Sequence, residues 1–388
     1  MKKLAIITTH PIQYNAPFFK LLSAGNKVQA RVFYTWGRAV LEKKYDPGFN
    51  KTIEWDIPLL EGYDYEFLEN TSKDPGSHHF NGIINPAILT RINEFGPDVV
   101  LVYGWKFKSH LQVLRHYKNK KPVWFRGDSV LLNERPGFKS FVKGMVLNWV
   151  YKHIDVAFYA GTNNRIYFEK SGLQPAQLTA APHAVENERF GNSPGRYREG
   201  AAGFREQLKI GSNDLVFLYA GKLIPTKDIG TLIKAFARIK KMGVHLVIVG
   251  NGPEEASLKA KMAVVSNLHF LDFQNQAIMP AVYHLCDIFV LPSVGETWGL
   301  SVNEAMAAGK AILVSDRCGC AIDLVKNGEN GYIFKAGDEQ DLFEKMLLLT
   351  ETGSQLKQMQ GNSFVMIGEY TFRKFAEAIE NALYPIGE

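Results

Sequence analysis

The chain has 388 residues, 22% of them charged, and a formal net charge of +6 at neutral pH. That length is too great for one small core, and the composition is that of an ordinary soluble globular protein, so two domains are expected. No apolar run approaches the ~18 residues that a membrane-spanning helix needs.

The N-terminus, MKKLAIITTHPIQY, has a basic start and an apolar run that ends after Ile7 with no small-residue cleavage site. It reads as a first buried strand, Leu4–Thr8, rather than a leader. Further apolar runs follow at Val28–Tyr34, Val99–Tyr103, Pro122–Phe125 and Val156–Tyr159. A second set covers Leu215–Ala220, His245–Val249, Leu268–Leu271, Ile288–Leu291 and Ala311–Ser315. Helical stretches separate them, the pattern of parallel α/β layers. Two sets predict two doubly wound, Rossmann-like domains facing across a cleft, with ligands beyond the strand carboxyl ends. The boundary is expected in Gly191–Ala202, rich in Gly and polar residues, giving an N-terminal domain of residues 1–190 and a C-terminal domain of 191–370. The tail, Thr371–Leu383, reads as an amphipathic helix with Phe372, Phe375, Ala376, Ile379 and Leu383 on one side.

Candidate site residues gather after the strands. After the first strand lie His10, Gln13, Tyr14 and Asn15, which offer donors and acceptors in a loop stiffened by Pro11 and Pro17. Arg126 and Asp128 follow Pro122–Phe125, and either is placed to face a ligand. His183 stands near the domain boundary, equally readable as structural or functional. Gly221 and Lys222 follow Leu215–Ala220, with Lys227 five residues on; two cations at a strand end can neutralise a diphosphate. Gly250 and Gly252 form a turn after the next strand that allows close backbone approach. Finally, Glu296 and Glu304 flank Thr297, Trp298, Gly299 and Leu300, where a strand gives way through a loop to a helix expected over Ser301–Ala308. Backbone N–H groups at that helix start suit a diphosphate. The two carboxylates suit hydroxyls, and a nucleotide sugar has hydroxyls on both sides of its diphosphate.

The stretch LPSVGETWGLSVNEAMAAGKAILVSDRCGCAIDLVKNGENGYIF, Leu291 to Phe334, resembles the C-terminal half of retaining glycosyltransferases of the family-four (group 1) type. The resemblance rests on two glutamates with seven residues between them, the WG and EAMA-x-G elements and the later NG. It implies the two-domain GT-B architecture with the last helix crossing back onto the N-terminal domain. It also implies that Glu296 contacts the donor sugar, that Glu304 contacts the ribose, and that the base lies near Gly250–Glu254. Relatives usually carry arginine where this chain has Lys222, so a two-pronged contact becomes a point charge. Relatives commonly have a histidine after a later N-terminal strand; Phe125–Ser129 has none, so no histidine role carries over. The HPIQY loop occurs in a subset of these transferases and is expected to form an acceptor-side or sugar-side wall.

The implied activity is transfer of a sugar, with retention, from a nucleotide-diphosphate sugar to a glycan or lipid-linked acceptor in cell-surface polysaccharide or glycoconjugate assembly. Glu296, Lys222 and Lys227 are the expected catalytic group. No D-x-D pair occurs, so neither metal nor other cofactor is expected. The alternatives are a sugar-nucleotide epimerase, a glycan phosphorylase lacking a credible pyridoxal site, and a non-catalytic sugar-nucleotide-binding protein on the same fold.

Cys286, Cys318 and Cys320 are too few, and the last two too close, for a disulfide framework or usual zinc spacing. They read as reduced thiols of a cytoplasmic protein. Residues 1–195 hold 25 Lys and Arg against 17 Asp and Glu, a net of +8, while residues 196–388 hold 20 against 22, a net of −2, which together give +6. A basic first half predicts an anionic partner. No nucleic-acid-binding motif is present, so an anionic membrane surface or acidic acceptor is expected. Gly137–Lys152, GFKSFVKGMVLNWVYK, carries apolar residues at helical spacing beside three lysines. Alone it reads as a core helix with solvated lysines; within a basic domain it also suits the inner membrane face, docked peripherally.

Overall fold

A computed structural model describes the chain apart from residues 42–43, 133, 135–136, 192–194, 196, 261–264, 266 and 386–388. The chain forms two compact units. The first holds Met1–Lys44, Pro58–His183 and Phe372–Glu388; the second holds Tyr45–Ile57 and Ala184–Thr371. The linker expected in Gly191–Ala202 lies partly outside the described residues, and its described part includes the start of a helix, Arg198–Gln207.

Strands β1 (Lys2–Thr8) and β2 (Val28–Tyr34) open the first unit. Two short strands, β3 (Lys44–Asp46) and β4 (Lys51–Ile53), form a small sheet of their own, which apart from Lys44 belongs to the second unit. Then come β5 (Asp64–Phe67), β6 (Val99–Tyr103), β7 (Val123–Arg126), β8 (Val156–Tyr159) and β9 (Leu178–Ala180). The main sheet is parallel with order β5-β2-β1-β6-β7-β8-β9. Alternation along β1 divides its core: Ala5 and Ile7 pack with Ile92 and Val113 on one face, Leu4 and Ile6 with Phe18 and Phe19 on the other. The tail helix, Phe372–Leu383, covers that second face, and Phe375 stacks on Phe18 with centroids 4.0 Å apart. The tail thus returns to the unit where the chain begins.

The second unit contains β10 (Leu215–Ala220), β11 (Val244–Val249), β12 (Leu268–Leu271), β13 (Ile288–Leu291), β14 (Ala311–Ser315) and β15 (Gly331–Phe334). These strands are parallel in the order β12-β11-β10-β13-β14-β15. Strands β11, β13 and β14 are buried at every position, as continuous apolar runs covered on both faces should be. Both sheets step outward from a first strand and then reverse, so each is doubly wound as expected.

One expectation fails. The helix Phe138–Tyr151 buries only Leu147, Val150 and Tyr151. Phe138, Phe141 and Trp149 are 81%, 65% and 44% exposed, and Val142, Met145 and Val146 are exposed with them. The core reading of Gly137–Lys152 is therefore wrong for most of its apolar residues. The helix has two apolar stripes: 147, 150 and 151 reach the core, while 138, 141, 142, 145, 146 and 149 form a second at the same helical spacing.

Candidate active site

In the second unit the strand order reverses between β10 and β13, and ligands of open parallel sheets bind in the crevice such a reversal leaves. Lys222 and Lys227 follow β10; Glu296 follows β13. The turns keep pairing beyond the strands: Gly221 N donates to Val249 O, Gly250 N to Leu271 O, Leu223 N to Asn251 O, and Val294 N to Thr226 O. This pairing explains Gly250. A Cβ there would lie 1.9 Å from Gly221 O, so any side chain would force the two turns apart. Gly252 packs in the same way against Leu223.

The loop after β13 is held from beneath. Glu296 N donates to Arg317 O, Gly319 N to Glu296 O, and Cys320 N to Trp298 O. Gly299 takes φ of 105° and starts the helix Leu300–Ala307, one residue earlier than expected. Thr297 is exposed beside it. Trp298, expected to line the donor site, is buried instead and donates its ring N–H to Asn303 Oδ1 at 2.8 Å, so it supports the loop. Glu304 is also buried, and Tyr283 donates its hydroxyl to Glu304 Oε2 at 2.7 Å. All three cysteines are buried free thiols. Burial pushes Cys286 and Cys318 up to about 12 and Cys320 well above its ordinary value, leaving no thiolate for chemistry.

Both lysines have carboxylate partners. Lys227 Nζ pairs with Glu296 Oε2. Lys222 Nζ lies 3.0 and 3.1 Å from the two oxygens of Asp46 and 5.1 Å from the centre of the Phe49 ring. Partial burial works against the Asp46 carboxylate, but the hydrogen bond and charge of Lys222 outweigh it and hold its pKa below the ordinary range. Sequence reasoning missed Asp46 and Phe49 because the segment is polar, short-stranded and more than 170 residues from Lys222, with 176 separating Asp46 itself.

In the first unit the HPIQY loop leaves β1, next to the reversal between β1 and β6. His10 Nδ1 lies 2.9 Å from Thr9 Oγ1, and its ring meets Trp36 edge-on at 5.2 Å. Gln13, Tyr14 and Asn15 are half-buried, Asn15 immediately before the helix Ala16–Ala24. Asp128 is exposed. Arg126 is not available to face an acceptor. It is buried, donates to the carbonyls of Ala181 and Phe158, and lies 4.5 Å from the centre of the Phe375 ring. Burial lowers its pKa to about 10. The half-buried His183 lies 3.4 Å from Arg126, and burial together with that cation holds it well below its ordinary pKa. Both read as structural. On an exposed loop of this unit, Asp74, His78 and His79 bring ligand atoms within 4.8 Å of one another, the group among the described residues arranged to hold a metal ion. It contains none of the residues singled out in the sequence.

Residues 202–365, the segment carrying Lys222, Lys227, Gly250, Glu296 and Glu304, match the family described as Glycosyl transferases group 1. Over that span the second unit is similar to the group 1 glycosyl transferases. Among curated relatives, a lipopolysaccharide 1,2-N-acetylglucosaminetransferase of Salmonella typhimurium is 29% identical over 178 residues, 42% of this chain and 45% of that protein. An N,N'-diacetylbacillosaminyl-diphospho-undecaprenol alpha-1,3-N-acetylgalactosaminyltransferase of Campylobacter jejuni is 37% identical over 149 residues, 38% of each. The chain thus spans less than half the length of these relatives. Solved structures extend the likeness beyond residues 202–365. HepE of Anabaena, in complex with UDP and glucose, covers 99% of both chains with a TM-score of 0.72 at 18% identity. A sucrose-phosphate synthase of Thermosynechococcus elongatus covers 99% of this chain and 98% of that one, with a TM-score of 0.74 at 15% identity. With its two doubly wound units, the chain has the GT-B fold.

Proposed function

We propose that this chain is a retaining glycosyltransferase that moves a sugar from a nucleotide-diphosphate sugar to a glycan or lipid-linked acceptor, in cell-surface polysaccharide or glycoconjugate assembly. One observation carries the reading: Lys227 pairs with Glu296 at the strand reversal of the segment that matches the group 1 family, with Lys222 on the same turn as Lys227 and Glu304 on the helix after Glu296. As the anomeric carbon–oxygen bond breaks, negative charge grows on the departing diphosphate. Lys222, Lys227 and the N–H groups at Thr297–Leu300 are the proposed stabilisers of that charge. Glu296 orients the sugar through its hydroxyls, and Glu304 holds the ribose. With two ammonium groups at the diphosphate, the reaction is proposed to run without a divalent metal.

The exposed stripe of Phe138–Tyr151 supports a peripheral position on an anionic membrane. Among the described residues no helix is long and apolar enough to cross a bilayer. The Campylobacter relative is named for an undecaprenol-linked acceptor, which agrees with a lipid-linked acceptor here. The test is direct. Nucleotide-sugar donors are incubated with lipid-linked saccharides, nucleoside diphosphate release is followed with and without EDTA, and the product anomer is read by NMR. Release that depends on acceptor, survives EDTA and gives the donor's own anomer supports the proposal; binding without release sinks it.

A further inference from the structure

Between Lys44 and Pro58 the chain leaves the first unit, and Tyr45–Ile57 packs with the second. This strap has three attachments there. At its tip, the turn between β3 and β4 seats on Lys222: both Asp46 oxygens meet the ammonium, and a Cβ at Gly48 would lie 2.7 Å from Lys222 Cδ. In its middle, the half-buried rings of Phe49 and Trp55 meet Phe273 at 4.9 and 6.5 Å. Phe273 N donates to Asn251 Oδ1 at 2.8 Å, which ties this cluster to the Gly250–Gly252 turn. At its far end, Asn275 Nδ2 donates to Glu54 O at 2.6 Å and Ala277 N donates to the Asp56 carboxylate.

Two attachments hold the strap without any ionic group that a nucleotide would need. The third does not. Asp46 is shaped for its task, since Gly48 N and Phe49 N donate to its Oδ1 at 2.7 and 3.2 Å and aim the carboxylate. It then occupies two directions around an ammonium that has only three donors. A diphosphate that approached Lys222 would meet that carboxylate, and two anions cannot share the cation at full strength.

We infer that Tyr45–Ile57 is a strap belonging to the donor site, in which Asp46 is the resident counter-ion of Lys222 and is displaced when the donor diphosphate arrives. The inference rests on the reading of Lys222 as a diphosphate-binding cation. Asp46 keeps Lys222 positioned and neutralised while the site is empty. It also sets a threshold: a simple anion must replace Asp46 with nothing else to gain, whereas a nucleoside diphosphate brings contacts to Lys227 and the loop after β13. The aromatic cluster keeps the strap on its unit while Asp46 exchanges.

The test measures affinity by calorimetry for the tightest-binding of UDP, GDP and ADP and for the matching nucleoside. It uses the full-length wild type, Asp46→Asn, Lys222→Ala and the double variant. Asp46→Asn should bind the diphosphate about three- to tenfold more tightly, up to ~1.4 kcal/mol, with nucleoside affinity unchanged. In the Lys222→Ala background the Asp46→Asn gain should vanish, a coupling that a merely structural Asp46 would not give. Unchanged or weakened diphosphate binding in Asp46→Asn, or the same gain without Lys222, overturns the inference while leaving the transferase reading standing. A wild type that binds no nucleoside diphosphate overturns both.

Discussion

Lys227 and Glu296 are ion-paired across the ends of neighbouring strands, Lys227 from the turn after β10 and Glu296 from the loop after β13. Their side chains are only 19% and 21% exposed. The pair joins the proposed cation for the leaving group to the proposed acceptor for sugar hydroxyls. On the proposed roles, a diphosphate that drew Lys227 toward itself would release Glu296 for the sugar, so that binding one half of the donor would prepare the contact to the other half.

The two glutamates should separate in their effects. Glu296→Ala frees Lys227 and removes a negative charge, so nucleoside diphosphate affinity should hold or rise while turnover falls. Glu304→Ala should weaken nucleotide binding. It also leaves the Tyr283 hydroxyl without this acceptor, with a stability loss of about 1–3 kcal/mol. Calorimetry and turnover assays on the two variants check this. Full activity with unchanged nucleotide affinity in both would sink the assignment.

The lysines differ in their partners, Asp46 for Lys222 and Glu296 for Lys227. Lys222→Ala and Lys227→Ala should each weaken diphosphate affinity by roughly 1.5–3 kcal/mol, the range of a hydrogen bond to a charged group. The matching nucleoside should bind all forms alike. If nucleoside affinity falls as far as diphosphate affinity, the lysines hold the fold rather than the phosphates.

Strands buried on both faces were legible because continuous apolar runs have few other readings. Val99–Tyr103, Leu215–Ala220 and Ile288–Leu291 stand at the ends their sequences imply. β5, β9 and β15 escaped because DYEF, LTA and GYIF are short or polar edge strands completed by neighbours rather than by their own pattern. The group 1 turns were legible from glycines and charges at strand ends. Trp298 and Arg126 were placed on the ligand side because position in a motif says nothing about which way a side chain turns. The hydrogen bond to Asn303 and the carbonyls of Ala181 and Phe158 decide that. The strap was beyond reach, since the Asp46–Lys222 contact spans 176 residues without any local pattern.

Acid should destabilise the first unit through His110. This side chain is buried, its Nδ1 lies 3.0 Å from Tyr103 O, and its Nε2 lies 2.8 Å from Thr35 Oγ1. Burial favours the neutral ring, whose Nδ1–H donates to the carbonyl. Burial lowers its pKa from 6.5 to about 4. A folded-state pKa below the unfolded value means the unfolded chain binds the proton first, so stability falls as pH drops through 6.5 toward 4. The loss from this group is on the order of 3 kcal/mol. His110→Gln should be less stable at neutral pH but lose stability less steeply on acidification. Denaturant melts between pH 7.5 and 4.5 check the slopes; parallel slopes would remove His110 from the account.

The exposed stripe of Phe138–Tyr151 makes the last prediction, and here two forces must be told apart. Phe138, Phe141, Met145 and Trp149 present apolar area that would enter the boundary between headgroups and acyl chains. Charge is nearby: Lys139 and Lys152 lie at its two ends, and Arg115 sits 5.5 Å from the centre of the Trp149 ring. Lys143 is partly committed to Glu134. If the proposed docking is right, the protein should sediment with anionic vesicles at low salt and less with neutral ones. Binding should weaken as salt rises, because exposed charges are screened within ~8 Å at physiological ionic strength. Phe138→Ser with Phe141→Ser should abolish sedimentation without lowering stability, since both rings already face solvent. Charge alone would instead leave the double variant bound at low salt, and the apolar stripe would then have no part in docking. No sedimentation of the wild type at low salt removes the membrane proposal while leaving the chemistry at Lys222, Lys227 and Glu296 untouched.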